Sequence, residues 1–411
     1  VAAGLSGWAW PNRSARDEKI SLEYQASRFK GGEEPSAAVK TAALNRVLEH
    51  YPKTKVPPYF AGPKHGVTES LIRKVFPCLK GSSSPGMPYC LHAPTKAEVI
   101  QRQHDVIIEI VLTRLDALAS FDKSEIPDDP VELLRSGLCD PVRVFIKNEP
   151  HSIEKIVNGR GRIISNVSMA DEIIDRLLCS VQNYAEIDDW QNIPSKSGMG
   201  LSTDAQTKAL FEPMKSLLSE TSTSDVKGWD WSVPTWLMDM DVEARCLLNS
   251  CSKDSSFRRI LENRIAVLAR SVFVTSDGTM LAQASPGIVK SGTFITASFN
   301  SRMRVMLAYI IGALWAIAMG DDGAEQTVLD AVKKYEALGF TITDYKACEG
   351  DSFSFCSHLI MEAKAIPENC YKSLYKLLSK EITEEDLEEF TTVYRHLPEV
   401  DKILAVIRRV Q

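Results

Sequence analysis

The segment "VMLAYIIGALWAIAMGDD", Val305 to Asp322, limits the fold more than any other stretch of the chain. It runs uncharged from Val305 to Gly320 and then stops on two adjacent carboxylates. The run is shorter than the roughly 20 residues that a membrane span needs. It predicts instead the end of a buried helix followed by a buried strand. Asp321 and Asp322 repel each other, and neither has a basic neighbour in sequence. A core would reject the unpaired charges. A plain turn would tolerate them but would not need the stiff apolar lead-in. The pair makes sense where something strongly cationic neutralises it.

The chain has 411 residues, room for two or three domain-sized units or one large body with subdomains. Apolar residues at 44% and charged residues at 25% exclude disorder as the default. The net charge of −6 argues against a general nucleic-acid binder, but not against one whose basic residues line an inner surface. Nine cysteines without CxxC pairs predict reduced thiols and no zinc site, and the seven histidines show no HExxH spacing. "VAAGLSGWAW" at the start has no secretory signal pattern. The missing initiator Met fits a proteolytic product or a trimmed piece.

Periodicity predicts a helix over "TKAEVIQRQHDVIIEIVLTRLDALASF" and another over "ADEIIDRLLCSVQNYAEI". "VRVFI" (Val142 to Ile146) reads as a strand entering a basic loop. "STSDVKGWDWS" reads as a strand and turn, Pro234 to Ala269 as helical, and "SVFVTSDGTMLAQ" as a hairpin. "SGTFITASFNSRMRVMLAYIIG" is a helix opened by a Ser-Gly loop, and "EQTVLDAVKKYEALGF" a helix closed by Gly339. "DSFSFCSHLI" alternates like a strand pair, and Glu368 to Gln411 is helical. Strands and helices mix without βαβ alternation, which predicts an α+β fold.

A lone Gly-Asp-Asp is a common turn. "DVKGWDWS" adds Asp225 and Asp230, and if the two strands are neighbours the carboxylates converge. Clustered hard oxygens suit Mg²⁺ or Mn²⁺, and two such ions could clamp a phosphoryl displacement. In "SGTFITASFNS", Ser291 and Gly292 form a loop, and Thr296 and Asn300 share a helix face. Those polar groups read equally well as capping residues or as readers of sugar hydroxyls. "FIKNEPHSIEKIVNGRGRIIS" sets Lys147, Lys155, Arg160 and Arg162 against Glu149 and Glu154. Such a run is usually a solvated face, but the loop could also aim guanidinium groups at phosphate.

In this order the elements resemble the RNA-dependent RNA polymerases of positive-strand RNA viruses, from about Lys80 to His358. "SSSPGMPY" looks like the template-guiding loop (motif G), and "KNEPHSIEKIVNGRGRII" like the nucleotide-channel finger (motif F). "DVKGWD" has the D-x4-D of motif A, "SGTFITASFN" the pattern of motif B, and "MGDD" is motif C. Lys346 in "TDYKACEG" falls at the motif D lysine, and "FCSH" at motif E. "KGWDWSV", "SRMRV", "AMGDD" and "FCSH" look most like the plant sobemovirus and polerovirus enzymes.

The resemblance implies a right-hand fold with an antiparallel palm sheet. Residues 1–164 would be fingers, 165–274 palm, 275–290 a fingers insertion, 291–365 palm and 366–411 thumb. It implies two Mg²⁺ ions, with Mn²⁺ as a substitute, held by Asp225 and Asp321 with Asp322 in support. Asp230 and Asn300, with Thr296 nearby, would read the ribose 2′-hydroxyl. Ser291, beside Gly292, would help position Asp230 and the template nucleotide. Lys147, Arg160 and Arg162 would hold the triphosphate, Lys155 more loosely, and Lys346 would protonate the leaving pyrophosphate. Ser84, Pro85 and Gly86 would touch template RNA. Implied partners are template and nascent RNA, NTPs, a protein primer, and viral or host replication proteins. Membrane association would come only through partners, at replication complexes in the host cytoplasm. "SKSGMG" (Ser195 to Gly200) receives no role. The acidic total with a basic loop predicts a charge-segregated molecule whose RNA binding is strongly salt-sensitive.

Three rivals compete with this reading. A reverse transcriptase shares the palm carboxylates, but Asp230 with Asn300 suits a 2′-hydroxyl, and Gly320 stands where that class usually has a hydrophobic residue. An RNA-binding or capsid protein would need no paired acids and would carry a basic arm. A metal-dependent nuclease would have no use for Asn300 or a triphosphate-binding finger. Initiation with or without a protein primer is left open.

Overall fold

A computed structural model describes residues 2–410 of the chain. Its centre is a four-stranded antiparallel sheet in the order Ile342–Ala347, Thr221–Val226, Asp322–Gln326, Ala316–Met319. The apolar run divides as expected. Val305 to Ile311 completes the helix Thr296–Ile311, and Ala316–Met319 is the strand. That helix packs on the sheet with almost every side chain buried. Its two arginines are buried with it. Arg302 is ion-paired with Asp241 at 2.6 Å and with Glu186, and Arg304 with Glu325 at 3.1 Å. Buried guanidinium groups survive only with such partners.

Pro194 to Lys196 runs beside the outer strand. Ala318 N–H donates to the Pro194 carbonyl at 3.0 Å, and Lys196 N–H to the Ala318 carbonyl at 2.8 Å. The loop that received no role from the sequence is therefore an edge brace for the strand leading to Asp321.

A second four-stranded sheet joins Ile163–Asn166, Val142–Ile146, Val272–Val274 and Met280–Ala282. Its pairing crosses the expected boundaries at 164 and 274, because Val142 and Arg143 bond in parallel to Phe273 and Val274. Strand pairing between distant segments leaves no local mark in sequence. A third sheet, Phe353–Phe355, His358–Met361 and Lys364–Pro367, extends the expected strand pair by one strand. Three C-terminal helices, Tyr371–Leu378, Glu384–Tyr394 and Val400–Val410, share a small core around Leu374, Phe390 and Ile407.

The long helix Lys96–Ser120 is capped by Thr95, whose Oγ1 accepts from Glu98 N–H. Met169–Asp188 is the second amphipathic helix. Two helices differ from expectation. The helical span from Pro234 breaks over 249–255 into Thr235–Leu248 and Ser256–Leu268. The helix ending near Gly339 begins only at Ala331, because Glu325 and Gln326 are held in the central sheet. Among the described residues no helix is long and apolar enough to cross a membrane.

Candidate active site

Asp225 lies in the strand Thr221–Val226, opposite Thr343, and its neighbour Ser224 lies opposite Gly323. Asp321 occupies the turn between Met319 and Asp322, which face each other across the hairpin. The turn is tied down from the helix behind it, where Ser301 Oγ accepts from Gly320 N–H at 2.9 Å. The stiff strand therefore delivers Asp321 to a fixed place beside Asp225.

Both carboxylates line a cleft of about 830 Å³. Asp230, Ser291, Thr296 and Asn300 line it too, as do Lys147, Lys155, Arg160 and Arg162. The two acidic segments, the Ser-Gly loop with its helix, and the basic loop thus come together as the sequence implied. Asn300 Nδ2 donates to Asp230 Oδ1 at 2.9 Å, while Asn300 Oδ1 is buried without a partner. Ser291 Oγ accepts from Ser165 N–H at 3.1 Å and Gly292 N–H donates to the Ser165 carbonyl at 3.0 Å. These bonds fix the loop to the strand Ile163–Asn166.

Electrostatics mark the acids as uncompensated. Burial, then repulsion from Asp321, Asp225 and Glu368, pushes Asp322 up to about 7. Burial and Asp225 raise Asp321, against weaker opposing pulls from Arg162 and Arg304. Burial lifts Asp230 to about 6 despite the Asn300 hydrogen bond. Among the described residues no three His, Cys, Asp or Glu side chains stand close enough to hold an ion together. The donor chemistry still fits one, because hard carboxylates that repel each other are what a divalent cation relieves.

Other predicted residues stand elsewhere. Asp322 adjoins the cleft without lining it, and Gly292 lies behind Ser291. Lys346 sits on the outer strand Ile342–Ala347, largely exposed and 3.2 Å from Asp344, and does not line the cleft. Ser84, Pro85 and Gly86 also lie outside it. The Pro85 carbonyl accepts from Met169 N–H at 2.8 Å, so this loop is fixed to the start of the second long helix.

Sequence reasoning missed Arg28, Lys372 and the part played by Glu149. All three line the cleft. Glu149 faces Lys147 at 3.0 Å, Arg162 at 3.5 Å and Lys372 at 2.8 Å. Its burial would raise its pKa, but Lys372 and Lys147 outweigh that and hold the carboxyl at about 2. Glu149 stands in the quoted basic stretch and was visible there only as charge balance.

A family model for viral RNA-directed RNA polymerase matches residues 9–369. The replicase polyprotein P2AB of Southern bean mosaic virus (isolate Bean/United States/Arkansas) is 37% identical over 411 residues, covering 96% of this chain and 42% of that protein. The protein P1-P2 of Pea enation mosaic virus-1 (strain WSG) is 37% identical, covering 90% of this chain and 32% of that protein. The chain thus spans less than half the length of these relatives. Among solved structures, a Sicinivirus 3Dpol RNA dependent RNA polymerase superposes with a TM-score of 0.65 at 12% identity, covering 90% of this chain and 80% of that one. The fold is therefore the α+β polymerase fold, and the chain belongs to the viral RNA-directed RNA polymerase family.

Proposed function

We infer that this chain extends an RNA strand from NTPs on an RNA template. One observation carries the reading. Asp225, Asp230 and Asp321, from two separate segments, line one cleft with Lys147, Arg160 and Arg162.

Asp225 and Asp321 would hold the divalent ions on which such a polymerase depends, Mg²⁺ with Mn²⁺ as a substitute, and Asp322 would support them. When bound, the ions supply Lewis-acid activation of the attacking 3′-hydroxyl and charge neutralisation at the α-phosphate. The chain's own residues do the rest. Arg160, Arg162 and Lys147 bind and orient the triphosphate, with Lys155 at the rim. Asp230 accepts from the ribose 2′-hydroxyl, and Asn300 Nδ2 holds that carboxylate in place. Thr296 Oγ1 donates to the Thr293 carbonyl at 2.9 Å, with the Lys290 and Ser291 carbonyls at 3.2 Å, and secures the loop that carries Ser291. Lys346 is left out of the proton transfer, because it is paired with Asp344 away from the cleft.

The broader reading is replication of a positive-strand RNA genome at complexes in the host cytoplasm, with template RNA, viral proteins and a protein primer as partners. The replicase polyprotein relatives support a viral replication role. The strand sense, the cytoplasmic site and the protein primer rest on the sequence resemblance, and initiation without a primer is equally open. A reverse transcriptase is disfavoured by the Asp230–Asn300 pair, which would gain nothing from a deoxyribose.

The test is incorporation of UTP and dTTP on a short RNA template-primer with Mg²⁺, for wild type and Asp321→Ala. RNA-directed use of UTP that disappears in the variant is expected. Equal use of dTTP would overturn the ribose assignment, and an active Asp321→Ala would overturn the site.

A further inference from the structure

The first eighty residues carry none of the recognised motifs, yet they place a guanidinium in the cleft. Arg28 follows the helix Ala15–Ala26 and lines the cleft beside Asp230 and Arg160. It lies against the turn between Asp225 and Asp230. A Cβ on Gly228, which has φ +67°, would come within 2.5 Å of Arg28 Nη1. A side chain at this positive φ would be strained and would push the guanidinium aside.

Arg28 is held by an aromatic ring rather than by an acid. Its guanidinium carbon lies 5.0 Å from the centre of the Tyr24 ring, and Nη2 donates to the Tyr24 hydroxyl at 3.3 Å. Arg160 stands 5.5 Å from the centre of the same ring. The Nε atoms of both arginines are buried and have no hydrogen-bond partner. Lys147, Arg162 and Lys372 share Glu149, and Arg160 has Glu154 at 2.8 Å. Arg28 has no ion-pair partner among the described residues. Two guanidinium groups on one ring repel each other, and a buried N–H without an acceptor is costly. An anion bound in the cleft by their terminal nitrogens would offset that repulsion.

We propose that Arg28 binds a phosphate group of the incoming nucleoside triphosphate, acting with Arg160 over the Gly228 turn. The inference rests on the cleft being the NTP site. A planar, always-charged fork suits phosphate oxygens better than an ammonium does. Tyr24 orients the fork at little cost in side-chain freedom, and the Gly228 turn sets its distance from Asp225 and Asp230.

The experiment uses the full chain with Arg28→Gln and Arg28→Lys, and inorganic tripolyphosphate as the probe. For Arg28→Gln the KM for UTP should rise about tenfold, the loss of one charge-assisted hydrogen bond, with kcat within about twofold of wild type. The inhibition constant of tripolyphosphate should rise by the same factor. Arg28→Lys, which keeps the charge, should recover part of both. An unchanged tripolyphosphate constant in Arg28→Gln, with or without a fall in kcat, overturns the proposal and reduces Arg28 to a prop for the turn. If Arg28→Gln does not fold, a folded Arg28→Lys with wild-type constants for UTP and tripolyphosphate also overturns it. Asp321→Ala separates the two readings. Activity in that variant sinks the cleft assignment. Its loss, beside wild-type tripolyphosphate binding in Arg28→Gln, sinks only the role of Arg28.

Discussion

Lys372 Nζ lies 2.8 Å from Glu149 Oε1, tying the first C-terminal helix to the basic loop that also carries Lys147 and Arg162. The same carboxylate faces those two cations, so it occupies groups that the triphosphate would need. Glu149→Gln keeps the shape and removes the competing charge. The KM for NTP should fall in Glu149→Gln and rise in Lys372→Met. A Glu149→Gln variant with raised KM would show that the carboxylate orders its cations rather than competes for them. The Lys372 side chain is more than a third exposed, so the pair should add only roughly 0.2–1 kcal/mol to stability in a double-mutant cycle.

The pH dependence of that pair has a fixed sign. The Glu149 carboxyl is depressed to about 2 from an ordinary 4.5. Its contribution is therefore present above about pH 4.5 and is lost as pH falls towards 2. Acid titration of unfolding should show a larger loss in wild type than in Glu149→Gln across that window. Parallel curves would contradict the pairing.

Asp230 has the opposite sign. Its carboxyl is lifted to about 6 by burial, so its protonated form suits the folded chain. Stability from this group is full below about pH 4 and is lost as pH rises through 6. Asp230→Asn should therefore be more stable than wild type at pH 7.5, by about 3 kcal/mol, with the gain vanishing near pH 4. The same variant should lose preference for UTP over dTTP, because the charged acceptor is gone. Unfolding midpoints at the two pH values and the ratio of kcat/KM values check both halves. An unchanged preference would remove Asp230 from ribose recognition.

Arg304 explains a glycine that the sequence only recorded. A Cβ on Gly323 would come within 2.7 Å of Arg304 Nη2, and that nitrogen donates to Ser224 Oγ at 2.5 Å. Arg304 also donates to Tyr335 Oη at 2.8 Å and to Glu325 at 3.1 Å. It thus pins the strand that carries Asp225 to the strand after Asp321. Arg304→Met should destabilise the fold by roughly 3–5 kcal/mol, since the buried Glu325 charge is left with the Tyr335 hydroxyl but no cation. Gly323→Ala should lower kcat more than it changes the KM for NTP, by shifting Asp225 relative to Asp321. A Gly323→Ala variant with wild-type kcat would show that the strands adjust freely.

Local chemistry made the acidic turns, the Ser-Gly loop and the basic loop legible, because each is a short segment with its own composition. The apolar run up to Gly320 announced both the helix and the strand. What stayed hidden depends on distant partners. Arg302 and Arg304 look like surface residues in "SRMRV", and only Glu186, Asp241 and Glu325 make them core. Arg28 lies about two hundred residues from the turn it covers, and nothing nearby marks it. Lys346 was placed by motif position alone, and its strand edge turns it towards Asp344 and solvent.

Lys196 shows how a loop without a motif can matter to the site. Its ammonium donates to the carbonyls of Ile193 at 2.7 Å and Trp190 at 2.9 Å, and its backbone braces Ala318. Ser197 Oγ lies 3.3 Å from Ser301 Oγ, the group that holds Gly320. Removing the anchor leaves buried carbonyls unpaired, so Lys196→Met should cost about 1–3 kcal/mol and loosen the Asp321 turn. Burial lowers Lys196 to about 8 from 10.5, so between those values the unfolded chain binds more protons than the folded one. Wild-type stability from this group should then rise with pH from 8 to 10.5, a slope that Lys196→Met lacks. Urea unfolding of both proteins at pH 7.5 and 10 reads the difference directly, and identical slopes would mean that the ammonium is not buried as the loop geometry requires.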